Sequence, residues 1–176
     1  MAPTPHLHPT ADAGGAPPDL TDGAVRRRLS APGFGAFVKL CGRLQLGQDA
    51  QRRLLGEVPR RTYQRWTATA PDDLGLDQLE RISLFLGIYK ALQILFPIAE
   101  RRDAWLRAAN ADQPFGGLSP LDYLLRGSLQ GLWETRRYLD AWRGGWPSAP
   151  ARADNVAVGG GSCATTEDHD GDQTSH

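Results

Sequence analysis

Four side chains within six residues carry the clearest chemical signal in this chain. Arg60, Arg61, Gln64 and Arg65 stand in a run from Arg60 to about Thr67. At ~100° per residue in a helix they share one arc, and Tyr63 and Trp66 point to the opposite side. An arginine fork matches O6 and N7 of guanine, and a glutamine amide matches N6 and N7 of adenine. One face of such a helix can pack while the other offers three guanidiniums and an amide. The competing reading is a structural helical hairpin with a solvated charged surface.

Catalytic chemistry has far less support. His6, His8, His169 and His176 all fall near the chain ends, and the stretch between residues 20 and 146 has no histidine. That removes Ser-His-Asp, Cys-His and most metal-assisted chemistry from the foldable part. The Phe115-Gly116-Gly117 loop precedes a helix start, but no P-loop Gly-Lys-Ser/Thr accompanies it. Asp168, Asp170 and Asp172 are spaced like part of a calcium loop, with the glycine misplaced and no glutamate at the twelfth position. Cys41 and Cys163 make no disulfide framework, and Cys41 reads as a small buried residue in an apolar helical pattern. The expectation is a binding protein, not an enzyme, with no catalytic residue, metal or cofactor.

Charge places the binding partner in the first half. Between Thr21 and Trp66 there are ten Arg or Lys against three Asp or Glu; from Thr67 to Trp146 there are nine against ten. A basic segment beside a neutral one points to a polyanion partner for the first alone. Residues 1–19 and 147–176 are rich in Gly, Pro, Ser, Thr and Asp and poor in large aliphatics. They are expected to be disordered tails, because they bury too little to offset their ordering entropy. No apolar run follows Met1 and charges interrupt every long apolar stretch, so a cytoplasmic protein with no membrane partner is expected.

The elements that must position the basic helix can be read from spacing. Leu20 to Ser30, with Arg26, Arg27 and Arg28, is a short helix or basic arm, and Pro32-Gly33 should end it. Phe34, Phe37, Val38, Cys41 and Leu44 then mark one face of a helix, with Gly47 as its C-terminal cap. Asp49 to Leu55 is a second helix, Gly56 to Pro59 a turn, and Pro59 the first residue of the basic helix. Helix, Gly-containing turn and basic helix make a helix-turn-helix arrangement. Such proteins usually read two half-sites by two-fold symmetry, so a homodimer is expected.

Leu76 to Phe96 is the central helix of residues 20–146. Leu79, Ile82, Phe85, Leu86, Ile88, Tyr89, Leu92 and Leu95 recur at three- and four-residue steps. They cover more than one side, so other elements must wrap it. Beyond Pro97, Ile98, Trp105, Leu106 and Ala109 mark one face of a helix whose charged surface is Glu100 to Asp103. Ser119, Pro120 and Asp122 then form an N-cap, N1 and N3 start, and Gly127 ends that helix. Ser128 to Arg143 is the last helix, with Leu129, Leu132 and Leu139 on one face. Trp133, Tyr138, Trp142 and Trp146 are of types that dominate interface hot spots, and at least half are expected to be core instead.

Three stretches together resemble the Xre/MbcA/ParS family of antitoxins, the partners of RES-domain toxins. They are RRLLGEVPRRTYQRW from Arg52 to Trp66, LERISLFLGIYKALQILFP from Leu79 to Pro97, and WLRAANADQPFGGLSPLDYLLRG from Trp105 to Gly127. The resemblance spans roughly Gly33 to Trp146, and the ordered Phe-Gly-Gly-x-Ser-Pro-Leu-Asp core is its most specific part. It implies an all-α protein with an Xre-like helix-turn-helix DNA-binding region at 20–75. The helix at 76–96 would join this to a small helical toxin-binding region at 97–146. It further implies a type II antitoxin that occludes an NAD-degrading toxin and represses its own operon at an operator DNA. The toxin-facing residues carried over are Gly116, Gly117, Ser119, Pro120 and the helix from Ser128 to Trp146. The acidic tail beyond Trp146 departs from the family pattern. The alternative reading is a stand-alone helix-turn-helix regulator with a dimerising C-terminal half.

Overall fold

A computed structural model of the protein describes residues 18–144, so Trp146, the four histidines, Cys163 and the acidic tail lie outside the described residues. Within them the chain forms helices and no strand. In order they are α1 (Gly23–Arg43), α2 (Gln48–Leu54), α3 (Arg60–Ala68), α4 (Leu76–Leu95), α5 (Ala99–Arg107), α6 (Pro120–Leu125) and α7 (Leu129–Arg143). The three long helices, α1, α4 and α7, lie side by side with α4 in the middle. Along α1, Gly33 faces Leu79 and Ile82, Phe37 meets Phe85 at 5.8 Å between ring centroids, and Arg43 lies over the Tyr89 ring. Along α7, Trp133 reaches Glu80 and Trp142 meets Phe96. In both pairings residue numbers rise together, so all three helices run the same way. Each return is made by two short helices: α2 and α3 lead from α1 to α4, and α5 and α6 lead from α4 to α7.

The wrapping expected around the central helix is present. Leu79, Ile82, Leu84, Phe85, Ile88, Tyr89, Ala91 and Leu92 are all buried in α4. Burying each large side chain among them stabilises the fold by roughly 2 kcal/mol. Pro97 follows the end of the helix, where it cannot continue the ladder.

The first helix departs from expectation. Pro32 does not break the chain; α1 runs through it as one helix of 21 residues. Pro32 and Arg28 both lie on the exposed side, where water can take the bond that Pro32 cannot make. On the buried side the Ser30 hydroxyl donates to the Arg26 carbonyl at 2.8 Å and accepts the Leu74 N–H at 2.8 Å. Phe34 and Phe37 anchor the next turn in the core. Packing therefore overrides the local breaker.

Gly47 is the N-cap of α2, not the C-terminal cap of α1. The left-handed residue after α1 is Gln45, at φ 56. There Leu46 N–H bonds the Cys41 carbonyl and Gln45 N–H bonds the Gly42 carbonyl, a Schellman closure. Pro59 stands one position earlier than expected, as the N-cap of α3.

The charged surface expected on α5 is also corrected. Ile98 is 51 % exposed, whereas Arg102 is 5 % exposed. Ala109 lies beyond the end of α5 and is exposed. Arg102 donates to the Phe96 and Pro97 carbonyls at 2.7 and 2.9 Å, and its guanidinium lies 5.6 Å from the Tyr89 ring centroid. At the last position of the same helix, Arg107 donates to the carbonyl of Leu44, the C-cap of α1, at 2.9 Å. So α5 supplies cations to the C-terminal ends of both α4 and α1, where orphan carbonyls and the negative dipole end want donors.

Arginine outnumbers lysine eighteen to two, and the fold divides the arginines by use. Arg26, Arg52, Arg81, Arg102 and Arg107 each donate to a backbone carbonyl. Arg27, Arg28, Arg53, Arg60, Arg61 and Arg65 are exposed in the first half. The excess positive charge that solvent sees therefore belongs to α1, α2 and α3.

Candidate functional site

The basic helix is set by two contacts on its inner side. Tyr63 is 1 % exposed and packs edge-on against Phe34, with ring centroids 6.0 Å apart. Its hydroxyl donates to the Gln51 side chain of α2, whose amide nitrogen in turn donates to the Leu46 carbonyl. Trp66, half-buried, meets Phe34 at 5.9 Å between centroids. Burial pushes the Tyr63 phenol up to about 12, so it stays a neutral donor at physiological pH. Gln51 has no apolar periodicity to mark it as buried, and the sequence reading missed it.

The outer side of α3 matches the expected arc. Arg60, Arg61, Gln64 and Arg65 are all exposed, and none is in an ion pair among the described residues. In the preceding helix, α2, Arg52 is held differently. Arg52 spans from Asp49 to the Val58 carbonyl, which braces the turn into α3. An unpaired cationic face on a helix held from behind is suited to entering the major groove.

A second candidate surface lies at the loop between α5 and α6. Asn110 N–H bonds the Leu118 carbonyl at 3.0 Å, and Gly117 N–H bonds the Asn110 carbonyl at 2.8 Å, closing the loop on itself. Phe115, 2 % exposed, plugs the loop into a cluster with Trp105, Tyr123 and Tyr138. Gly116 and Gly117 form the exposed tip at φ 58 and 90, and a Cβ built on either meets open space. Glycine is favoured there by backbone conformation and not by crowding within this chain. The tip leaves its backbone open to close approach by another molecule.

The remaining candidates separate by burial. Ser119 is 7 % exposed, accepts the Asp122 N–H at 3.0 Å and donates to the Asp122 carboxylate at 2.6 Å. Pro120 is buried at the first position of α6. These two shape the loop from beneath. Tyr138 stacks on Trp105 while Trp142 meets Trp105 edge-on and Tyr138 at a tilt, so both serve mainly as core. Tyr138 also donates to Asp112, a residue the sequence reading did not single out. Trp133 is 47 % exposed and donates to Glu80 at 3.2 Å, on the seam between α7 and α4. Trp146 lies outside the described residues.

Among the described residues, no group of three or more His, Cys, Asp or Glu is placed to hold a metal ion. No described helix is long and apolar enough to cross a membrane.

Comparison with known proteins divides the chain between two recognised domains. Residues 22–87 match the antitoxin Xre-like helix-turn-helix domain, and residues 91–145 match the antitoxin Xre/MbcA/ParS C-terminal toxin-binding domain. The boundary between them falls inside α4. An uncharacterized protein of Sinorhizobium fredii (strain NBRC 101917 / NGR234), y4oB, is 44 % identical over 110 residues, covering 62 % of this chain and 83 % of the relative.

Proposed function

The chain belongs to the Xre/MbcA/ParS family of antitoxins, and from that premise we propose that it occludes a RES-type NAD-degrading toxin and represses its own operon in the cytoplasm. Repression runs through α3. The carrying observation is the sidedness of that helix: Tyr63 is locked inward while Arg60, Arg61, Gln64 and Arg65 stand outward without acidic partners. The working unit on DNA is a homodimer, because two half-sites are read by two-fold symmetry.

Neutralisation is by covering, with no chemistry done by this chain. The Gly116-Gly117 tip approaches the toxin backbone, while Ser119 and Pro120 hold the tip in place. Trp133 adds exposed aromatic area, and Trp146, outside the described residues, is assigned with it to covering the entrance through which NAD passes. Tyr138 and Trp142 support this face from within.

Two measurements test the proposal. Co-expression with the adjacent gene product should give a stable complex whose NAD consumption is suppressed. Replacing Arg60, Arg61, Gln64 and Arg65 together by alanine should abolish operator binding while the complex still forms. Unchanged operator affinity in that folded variant would refute the assignment of α3.

A further inference from the structure

A joint between α2, α4 and α6 lies apart from both surfaces. On α4, Arg81 Nε donates to the Asp77 carboxylate at 2.9 Å, and Arg81 Nη1 donates to the Gly127 carbonyl at 2.8 Å. Gly56, in the turn between α2 and α3, lies flush against this pair. A Cβ there would stand 3.0 Å from both Arg81 Nε and Asp77 Oδ2. Gly127, just past the end of α6, closes on the same turn from the other side. A Cβ on it would stand 3.0 Å from the Arg53 carbonyl oxygen. That carbonyl also accepts the Gly56 N–H at 2.9 Å. The turn is therefore gripped between a charged pair of α4 and the backbone end of α6.

This grip bears on α3 because the turn is its entry. Gly56 and the next residue, Glu57, are both left-handed, at φ 86 and 59. For Glu57 that conformation is strained and persists only when its surroundings enforce it. Arg60 follows three residues later, at the first position of α3. Relaxation of the turn tilts the start of the helix, where Arg60 and Arg61 stand.

We infer that Arg81 is a positioning residue for DNA recognition, acting through the turn between α2 and α3. The inference rests on the reading of α3 as the DNA-contacting helix. Arg81 itself is committed to Asp77 and Gly127, and its side chain is 11 % exposed. It holds geometry and contacts no phosphate. Bidentate base contacts depend on placement, so a loosened turn weakens them without removing any cation from the interface.

The test uses the full chain and the duplex directly upstream of its own coding sequence, with affinity followed across a salt series. Arg81→Ala should bind about tenfold more weakly with the same salt slope, because no phosphate contact is lost. Asp77→Ala removes a side chain that is 47 % exposed, so the fold survives, and it should weaken binding in the same way by a smaller factor. Arg81→Lys keeps one donor and should recover part of the loss. Wild-type affinity in both Asp77→Ala and Arg81→Ala overturns the inference. So does a salt slope lowered by about one in Arg81→Ala, which would place Arg81 on a phosphate. If Arg81→Ala fails to fold, Asp77→Ala decides alone. Wild-type protein that does not bind the duplex sinks the reading of α3, and the inference with it.

Discussion

The Tyr138 hydroxyl donates to the Asp112 carboxylate at 2.7 Å, tying α7 to the loop that presents Gly116 and Gly117. Asp112 also holds the loop from within, since its carbonyl accepts the Phe115 and Gly116 N–H groups. Tyr138→Phe keeps the ring stacking and loses this bond, together with the long one that the hydroxyl accepts from the Asn110 amide at 3.5 Å. It should cost about 1–2 kcal/mol of stability, as expected for a hydrogen bond to a half-buried carboxylate. Amide exchange at residues 115–118 should accelerate. Exchange there at the wild-type rate would show that Phe115 alone fixes the loop.

The tip offers a cleaner probe of partner binding. Gly116 sits at φ 58, a conformation that asparagine tolerates and larger L-residues resist. Gly116→Asn should keep both fold and protection against the toxin. Gly116→Arg should cost ~1–2 kcal/mol in backbone strain, yet lose protection entirely by blocking close approach. Full protection by the folded arginine variant would remove the tip from the toxin-facing surface.

Arg102 should behave as a structural cap. Arg102→Met conserves volume under Tyr89 but leaves the Phe96 and Pro97 carbonyls without their donor. A loss of about 2–3 kcal/mol in urea unfolding is expected, with part recovered by Arg102→Lys. A methionine variant as stable as the wild type would mean that those carbonyls find other donors.

Alkaline pH should destabilise the N-terminal half of the core. Burial raises the Cys41 thiol from 9.0 to about 12, and the Tyr63 phenol from 10.0 to about 12. Both groups hold their protons in the folded state where the unfolded chain has released them. Their contribution is therefore complete below pH 9 and fades as pH climbs toward 12. Urea midpoints should fall across that window, and Cys41→Val should flatten the lower part of the decline. A flat profile would mean that neither group stays protonated.

Much of this was legible in the chain. The central helix could be read because its apolar residues recur so densely, and α3 because two aromatics face four polar residues across it. Ser119, Pro120 and Gly127 follow helix-end chemistry that is local and needs no tertiary information. Pro32 misled because its breaking tendency is local while the forces holding α1 together are not: Ser30 reaches Leu74 across 44 residues. Arg102 misled and Gln51 was missed because a polar side chain gives no sign in sequence that it will be buried against carbonyls. The same gap hid Arg81 and Asp112. For the candidate site, exposure of the α3 arc followed from periodicity alone, whereas burial of Ser119 and Tyr138 depended on how α5, α6 and α7 pack.

The shared direction of α1, α4 and α7 also sets the order in which the protein can be made. Parallel neighbours cannot close as hairpins, so the ties that close the fold span long stretches: 53 residues for Trp133 to Glu80 between α7 and α4, 46 for Arg81 to Gly127 and 63 for Arg107 to Leu44 through the returning helices. At ~5–20 residues per second on the ribosome, Leu44 waits roughly 3–13 s for its cap to be synthesised. Until then the end of α1 is uncapped, and the flank of α4 that α7 covers stays bare for longer still, until Arg143 is made. Each nascent chain thus passes through a window open to proteases before it can neutralise anything, and the supply of finished protein depends on the pace of translation.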